Sequence, residues 1–186
     1  MMKPLLFTLT LGLLACAANA AETVTVLSLP LGGKIQPSLQ NCKDAPPKRN
    51  APTCWIVSKK GYKGSRFGNL HLPESAALPA WAAYATFEAS VDRDGVLTMF
   101  TVESGERYEP ATIIDSISAR FGRPGFSGPV GLFKANATWR RPEIEISMLC
   151  EETRCFTHFR SGAEAAEGRR RGEEAVKREA ARPIAP

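Results

Sequence analysis

Five cysteines are the residues with the clearest capacity for covalent chemistry. Cys16 lies in the apolar N-terminal stretch, so Cys42, Cys54, Cys150 and Cys155 remain for the folded chain. Four cysteines allow three pairings. We expect the local ones, Cys42 with Cys54 and Cys150 with Cys155, because disulfides form in the oxidising compartment that an exported chain enters.

Metal binding is the alternative use of these thiols. Cys150, Cys155 and His158 could supply three ligands, but their spacing matches no zinc motif. The chain has no Cys-x-x-Cys pair, which argues against a thioredoxin-like role, and it lacks the Gly-x-x-x-x-Gly-Lys-Ser phosphate loop. We therefore expect no metal and no cofactor.

Hydrolytic catalysis has weak support in the sequence. The two histidines, His71 and His158, are far apart along the chain, and neither has a carboxylate partner in view. Ser127 lies in a stretch that only half resembles the Gly-x-Ser-x-Gly elbow, because Pro129 replaces its second glycine. We expect a protein that is not an enzyme, and the alternative is a small hydrolase that uses His158 with a carboxylate.

A group of basic and aromatic residues has the composition of a binding surface. Arginine and aromatic side chains dominate the binding energy of many interfaces, and loops on a rigid scaffold often carry recognition. The alternative is scattered solvated charge, with Trp139 in the core. The candidate partner-binding residues are Arg120, Arg123, Phe126, Lys134, Trp139, Arg140 and Arg141.

The N-terminus predicts an exported protein. Lys3 precedes a short apolar run, and Ala18-Asn19-Ala20 matches the small-x-small cleavage pattern, which makes residues 1–20 a signal peptide. We expect a periplasmic or secreted protein. The alternative is lipidation, because residues 13–16 loosely resemble a lipoprotein box ending at Cys16. Nothing later is apolar enough to span a bilayer.

Residues 84–160 organise the predicted fold, a single α+β domain over residues 21–162. Two β-rich runs flank a turn at residues 92–95, in which Asp92 and Gly95 favour a bulged hairpin. A helix follows from Pro110 to Phe121 with an isoleucine stripe on one face. A second hairpin then spans residues 144–159, and residues 137–141 are a further candidate for pairing, interrupted at Pro142. The expected core is β-β-α-β-β, with the helix packed on one face of a small antiparallel sheet.

The two ends of the mature chain flank this core. Residues 22–29 predict an N-terminal strand that joins the sheet at an edge. Residues 163–186 consist mostly of Ala, Glu, Arg, Lys and Gly, a composition that buries too little apolar surface to order a chain. We expect a charged, largely disordered tail, in which i,i+4 pairs between residues 173–174 and 177–178 support a transient helix. A sharper alternative has residues 169–171 contact an acidic partner or phosphate-bearing lipid.

A set of structural motifs occurs along the mature chain, at residues 29–33, Cys42, Cys54, residues 94–96, residues 120–124 and Trp139. Together these motifs resemble a type of small exported Gram-negative protein with no assigned function, in which a helix ends in a Phe-Gly-x-Pro signal and a tryptophan-bearing strand follows. The resemblance implies a compact α+β periplasmic domain without a known activity; Pro142 and the charged tail depart from it.

The sequence favours a non-enzymatic periplasmic binding or accessory protein that contacts another protein. The net charge of +5 permits weak contact with anionic envelope surfaces, and the leader argues against a nucleic-acid partner. The alternatives are an inhibitor or immunity protein against an envelope-acting enzyme or toxin, a small hydrolase, and an envelope protein held by a lipid on Cys16.

Overall fold

The computed structural model describes residues 23–35, 39–61, 64–105 and 109–181. The expected signal peptide at residues 1–20 and the lipidation alternative at Cys16 lie outside the described residues.

The first two strands form a hairpin of their own. Strand β1 (Val24–Val26) pairs antiparallel with β2 (Leu29–Leu31), and neither joins the main sheet. The prediction of one strand over residues 22–29 at a sheet edge is therefore wrong. Leu27 and Ser28 have positive φ values of 49° and 64°, which reverse the chain between the two strands.

All the other strands that the structure describes form one nine-stranded antiparallel sheet. The order across the sheet is β3-β5-β6-β7-β11-β10-β9-β8, and β4 also pairs with β5. Its strands are β3 (Cys54–Trp55), β4 (Lys59–Lys60), β5 (Arg66–His71), β6 (Thr86–Val91), β7 (Leu97–Gly105), β8 (Phe126–Val130), β9 (Phe133–Arg140), β10 (Ile144–Cys150) and β11 (Arg154–Ser161).

The hairpin of β6 and β7 forms as its turn chemistry predicts. The carboxylate oxygen Oδ1 of Asp92 accepts hydrogen bonds from the backbone N–H groups of Asp94 and Val96, both at 2.9 Å. Gly95 takes the left-handed conformation, with φ of 81°. The pairing of β6 with β7 is irregular next to this turn, between Ser90 and Val91.

Helix α1 (Pro110–Phe121) has the predicted bounds and covers one face of the sheet. Ile113 and Ile117 are the residues of its stripe that become buried. A 3-10 helix (Ala80–Ala82) lies beside α1, and Nε1 of Trp81 donates a hydrogen bond to Oγ of Ser116 at 3.0 Å.

The α+β class is confirmed as a mostly antiparallel sheet with two helices, but the β-β-α-β-β core is too small. Four strands follow α1, because β8 and β9 form an additional hairpin. The segment of β8 contains Gly128 and Pro129 and therefore reads as a loop in sequence. Pairing with β9 makes it an edge strand, the position in which a sheet tolerates proline.

The two faces of the sheet differ in burial. On the core face Phe100 of β7 stacks on Phe159 of β11, with ring centroids 4.7 Å apart. The opposite face carries Glu88, Thr101 and His158, and we call it the open face. The residues that fill the core face are apolar and almost completely buried, among them Leu97, Phe100, Val102, Ile113, Trp139, Ile144, Ile146, Met148 and Phe159.

Both expected local disulfides are present. Cys42–Cys54 ties an irregular loop to β3, and Cys150–Cys155 joins directly opposite residues of β10 and β11. The two disulfides are typical of an oxidising, extracytoplasmic compartment. Neither helix within the described ranges is long and apolar enough to cross a bilayer.

The C-terminal segment is a helix rather than a largely disordered tail. Helix α2 (Gly162–Ala180) begins where the hydroxyl of Ser161 accepts a hydrogen bond from the N–H of Glu164. Ala165 is buried, and Arg170 and Arg171 form ion pairs with glutamates of the same helix. The low apolar content predicted disorder, but the Ser161 cap and the ion pairs within the helix stabilise it.

We expect Gly162→Ala to destabilise the fold, because the new Cβ would lie 1.9 Å from the carbonyl oxygen of Pro142. Relieving that contact requires a backbone shift and costs about 1–3 kcal/mol in the free energy of unfolding. Urea denaturation measures the change. The matched control is Gly168→Ala in the same helix, where the Cβ meets nothing within 4 Å; equal destabilisation by both changes would contradict the prediction.

Candidate binding surfaces

Five of the seven candidate partner-binding residues lie around the C-terminal end of α1. The guanidinium of Arg141 donates hydrogen bonds to the carbonyl oxygens of Phe121 and Arg123. The N–H of Gly125 donates to the carbonyl oxygen of Thr138 at 2.8 Å, which joins the loop after the helix to β9. We call this region the α1 corner, made of Arg120, Arg123, Phe126, Arg141 and the backbone of Arg140, whose side chain instead pairs with Glu145 on the open face.

The other two candidates lie elsewhere. Trp139 is completely buried, and its Nε1 donates a hydrogen bond to the carbonyl oxygen of Gly122 at 3.0 Å. It therefore supports the corner from the core, as the alternative interpretation held. Lys134 is six residues from Arg140 along β9, about 20 Å at the rise of an extended strand. It pairs with Glu109 at 3.9 Å.

The residues of the α1 corner have different structural roles. Arg141 binds carbonyl groups at the end of α1, where the helix dipole favours a cation, so it serves the fold. Arg120 lies over the ring of Phe121, with Cζ 5.2 Å from the ring centroid. Arg123 is exposed, and Phe126 is 49% exposed on the edge strand β8. Arg120, Arg123 and Phe126 are thus free to contact a partner.

A second arginine cluster surrounds Glu145 on the open face. The side chain of Glu145 is only 14% exposed, and three guanidinium groups contact its carboxylate. Arg140 lies 3.4 Å away, Arg160 3.5 Å and Arg169 3.0 Å. Because Arg169 belongs to α2, this carboxylate joins the helix to the sheet. The sequence places Glu145 on an outward-facing strand position, but its three partners come from separate elements.

His158 lies on the open face beside Thr101. Its Nδ1 is 2.9 Å from Oγ1 of Thr101 across the β7–β11 pairing. Burial lowers the pKa of His158 below its ordinary value of 6.5, the charge of Arg160 lowers it further, and the charge of Glu88 opposes both. His158 is therefore neutral at physiological pH.

Among the described residues, the ring of His158 is hydrogen-bonded to a hydroxyl rather than to a carboxylate. Its hydrogen-bond partner is a threonine hydroxyl, and Glu88, the carboxylate that acts on its pKa, is exposed. Four cavities of about 340 to 540 Å³ lie at the N-terminal hairpin, around the Cys42–Cys54 loop and beside the 3-10 helix, and His158 lines none of them. Cys150 and Cys155 are bonded to each other, and no group of three metal-binding side chains occurs within the described ranges.

The net positive charge of the chain is concentrated in residues 34–66, which the sequence analysis did not identify. Residues 34–66 contain eight basic residues and one acidic residue, Asp44. Helix α2 has five basic and five acidic residues and is therefore neutral as a whole. A count of charge along the chain, rather than for the tail alone, would have found this segment.

Comparison with protein-family models, with curated proteins and with solved structures found no match to this chain. The resemblance to small exported Gram-negative proteins stays a prediction.

We expect acid to destabilise the fold partly through His158. Because the pKa of His158 is lower in the folded state than in the unfolded chain, the unfolded chain takes up the proton first as the pH falls below 6.5. The free energy of unfolding then falls, by at most about 1.4 kcal/mol per pH unit for one proton. His158→Gln should flatten the dependence between pH 7 and pH 5, measured by urea denaturation, and a curve parallel to that of the unmodified protein would contradict this.

Proposed function

We propose that this chain is a non-enzymatic binding or accessory protein of the periplasm that contacts another protein through the α1 corner. The observation that carries the proposal is that Arg120, Arg123 and Phe126, all exposed, lie within seven consecutive residues where hydrogen bonds hold the end of α1. Arginine and aromatic side chains supply most of the binding energy at many interfaces.

The rigidity of the corner supports this role. Arg141, Trp139 and Gly125 each make a hydrogen bond that joins the end of α1 or the following loop to β9. Residues held in this way lose little conformational entropy on binding, which leaves more of the contact energy for affinity. The side chains of Arg120 and Arg123 make none of these bonds, although the backbone carbonyl of Arg123 accepts one from Arg141.

Apolar exposure extends the surface along the same edge of the sheet. Val130 is 42% exposed and Leu132 fully exposed in the β8–β9 hairpin that also holds Phe126. Pro129 lacks a backbone N–H, so this edge does not suit pairing with a partner strand. The proposed contact is therefore made by side chains, with the arginines favouring an acidic partner surface.

The location in the periplasm rests on two lines of support. The disulfides are typical of an oxidising compartment, and the predicted signal peptide at residues 1–20 directs the chain there.

We expect Arg120→Glu/Arg123→Glu to abolish capture of a specific periplasmic partner by the tagged mature protein. Reversal of two charges at a binding surface should weaken binding at least tenfold, about 1.4 kcal/mol. Pull-down with mass spectrometry, followed by titration of the captured protein, measures the loss. Arg141 is unsuitable for this test, because its change would also disturb the end of α1.

The control variant is Lys177→Glu/Arg178→Glu, which changes the net charge equally on exposed residues of α2. A photo-cross-linking residue at position 126 should capture the same partner, whereas one at Val176, which is 69% exposed on α2, should not. Capture that survives the corner variant, or that both variants abolish equally, would refute the proposed surface.

A further inference from the structure

We propose that the opposite edge of the sheet docks on the anionic surface of a lipid bilayer. The proposed docking surface, which we call the β4 patch, consists of Ile56, Val57, Lys59, Lys60 and Phe67. It does not depend on the α1 corner, because the two lie at opposite ends of the strand order.

Strand pairing brings the members of the β4 patch together. Lys59 is directly opposite Phe67 in the pairing of β4 with β5, so the two side chains project side by side. The N–H of Ile56 donates a hydrogen bond to the carbonyl oxygen of Asn69 at 2.9 Å, which holds the preceding residues beside the same strand. The pairing therefore places one cationic and one aromatic side chain next to each other at this edge, and Ile56 and Val57 precede them along the chain.

The apolar members of the patch are unusually exposed for their type. Ile56 is 46% exposed, Val57 47% and Phe67 46%. Single exposed apolar residues are ordinary, but neighbouring ones framed by polar groups are typical of membrane or protein contacts. Aliphatic and aromatic side chains beside lysines are the composition by which peripheral proteins enter the headgroup region.

The backbone around the patch is held closely against strand β5. An added Cβ on Gly68 would lie 1.6 Å from the carbonyl oxygen of Val57, so the Val57 backbone is packed directly against β5. Arg66 donates hydrogen bonds to Oγ of Ser58 and to the carbonyl oxygen of Leu39, at 3.0 and 3.2 Å. Its guanidinium also lies over the ring of Trp55, 5.6 Å from the centroid. The patch is thus formed before any surface binds it.

The charge of the patch complements anionic headgroups. Within the described ranges Lys59 and Lys60 form no ion pair, and neither do Lys43 and Lys48 in the neighbouring Cys42–Cys54 loop. Unpaired lysines near a membrane gain free energy from the negative surface potential. Lysines on an edge strand also prevent pairing with another strand, which directs the edge towards side-chain contact. Because these lysines are unpaired, they suit contact with an anionic bilayer better than arginines 169–171 of α2, which already form ion pairs.

A tryptophan at position 67 makes the proposal directly measurable. The three native tryptophans, Trp55, Trp81 and Trp139, are at most 3% exposed, so Phe67→Trp adds the one exposed indole among the described residues. With vesicles of phosphatidylcholine containing about one third phosphatidylglycerol, we expect its emission to shift to shorter wavelength and the protein to co-sediment. Vesicles of phosphatidylcholine alone should give neither change.

Two variants then separate charge from insertion. In co-sedimentation with the anionic vesicles at low salt, Lys59→Glu/Lys60→Glu and Ile56→Ser/Val57→Ser should each reduce binding at least fivefold, while Lys177→Glu/Arg178→Glu, with the same change in net charge as the first, should not. Thermal unfolding confirms that each variant is folded. Equal loss in the α2 control, binding unaffected by the serine variant, or no binding to anionic vesicles would each overturn the proposal. The last result would direct the search to an acidic protein partner.

Discussion

The pairing of β7 with β11 holds the two halves of this protein together. β7 is the second strand of the β6–β7 hairpin, and β11 is the last strand along the chain. The helix α1 and three strands lie between them in sequence, so their pairing joins distant parts of the chain. Phe100 and Phe159 meet at this joint with ring centroids 4.7 Å apart. Such a stack adds about 0.5–1.5 kcal/mol beyond the burial of the rings. Everything after α1 depends on this long-range contact.

The pairing of β7 with β11 also shows how the two faces of the sheet differ in polarity. One face carries the stacked aromatics and is covered by α1, the 3-10 helix and the β1–β2 hairpin. The other carries the hydrogen bond between His158 and Thr101 and the carboxylate of Glu145 beneath three arginines. A half-buried face of this kind supports charged and polar groups only when they are paired. The ion pairs at Glu145 therefore compensate the charge of this half-buried carboxylate, and they hold α2 on the open face.

Surface chemistry is divided between the two edges of the sheet. The edge near β8 presents arginines and Phe126 on a corner fixed by hydrogen bonds, and the edge near β4 presents lysines with neighbouring aliphatic side chains. Arginine suits geometric recognition of a protein partner, whereas lysine acts as a compact point charge. An accessory protein with both edges would hold a partner near a membrane surface, with the rigid sheet between them.

The sequence alone determined the α+β class, the bounds of α1, the Asp92–Gly95 turn and the two local disulfides, because each depends on residues close together along the chain. Tertiary structure decided the rest. The strand character of Gly128 and Pro129 comes from pairing with β9, and the N-terminal residues form a separate hairpin because Leu27 and Ser28 reverse the chain. Trp139 is buried in the core, and the carboxylate of Glu145 forms ion pairs with arginines of β9, β11 and α2. Burial and long-range ion pairs depend on which distant segments meet, and local propensity does not contain that information.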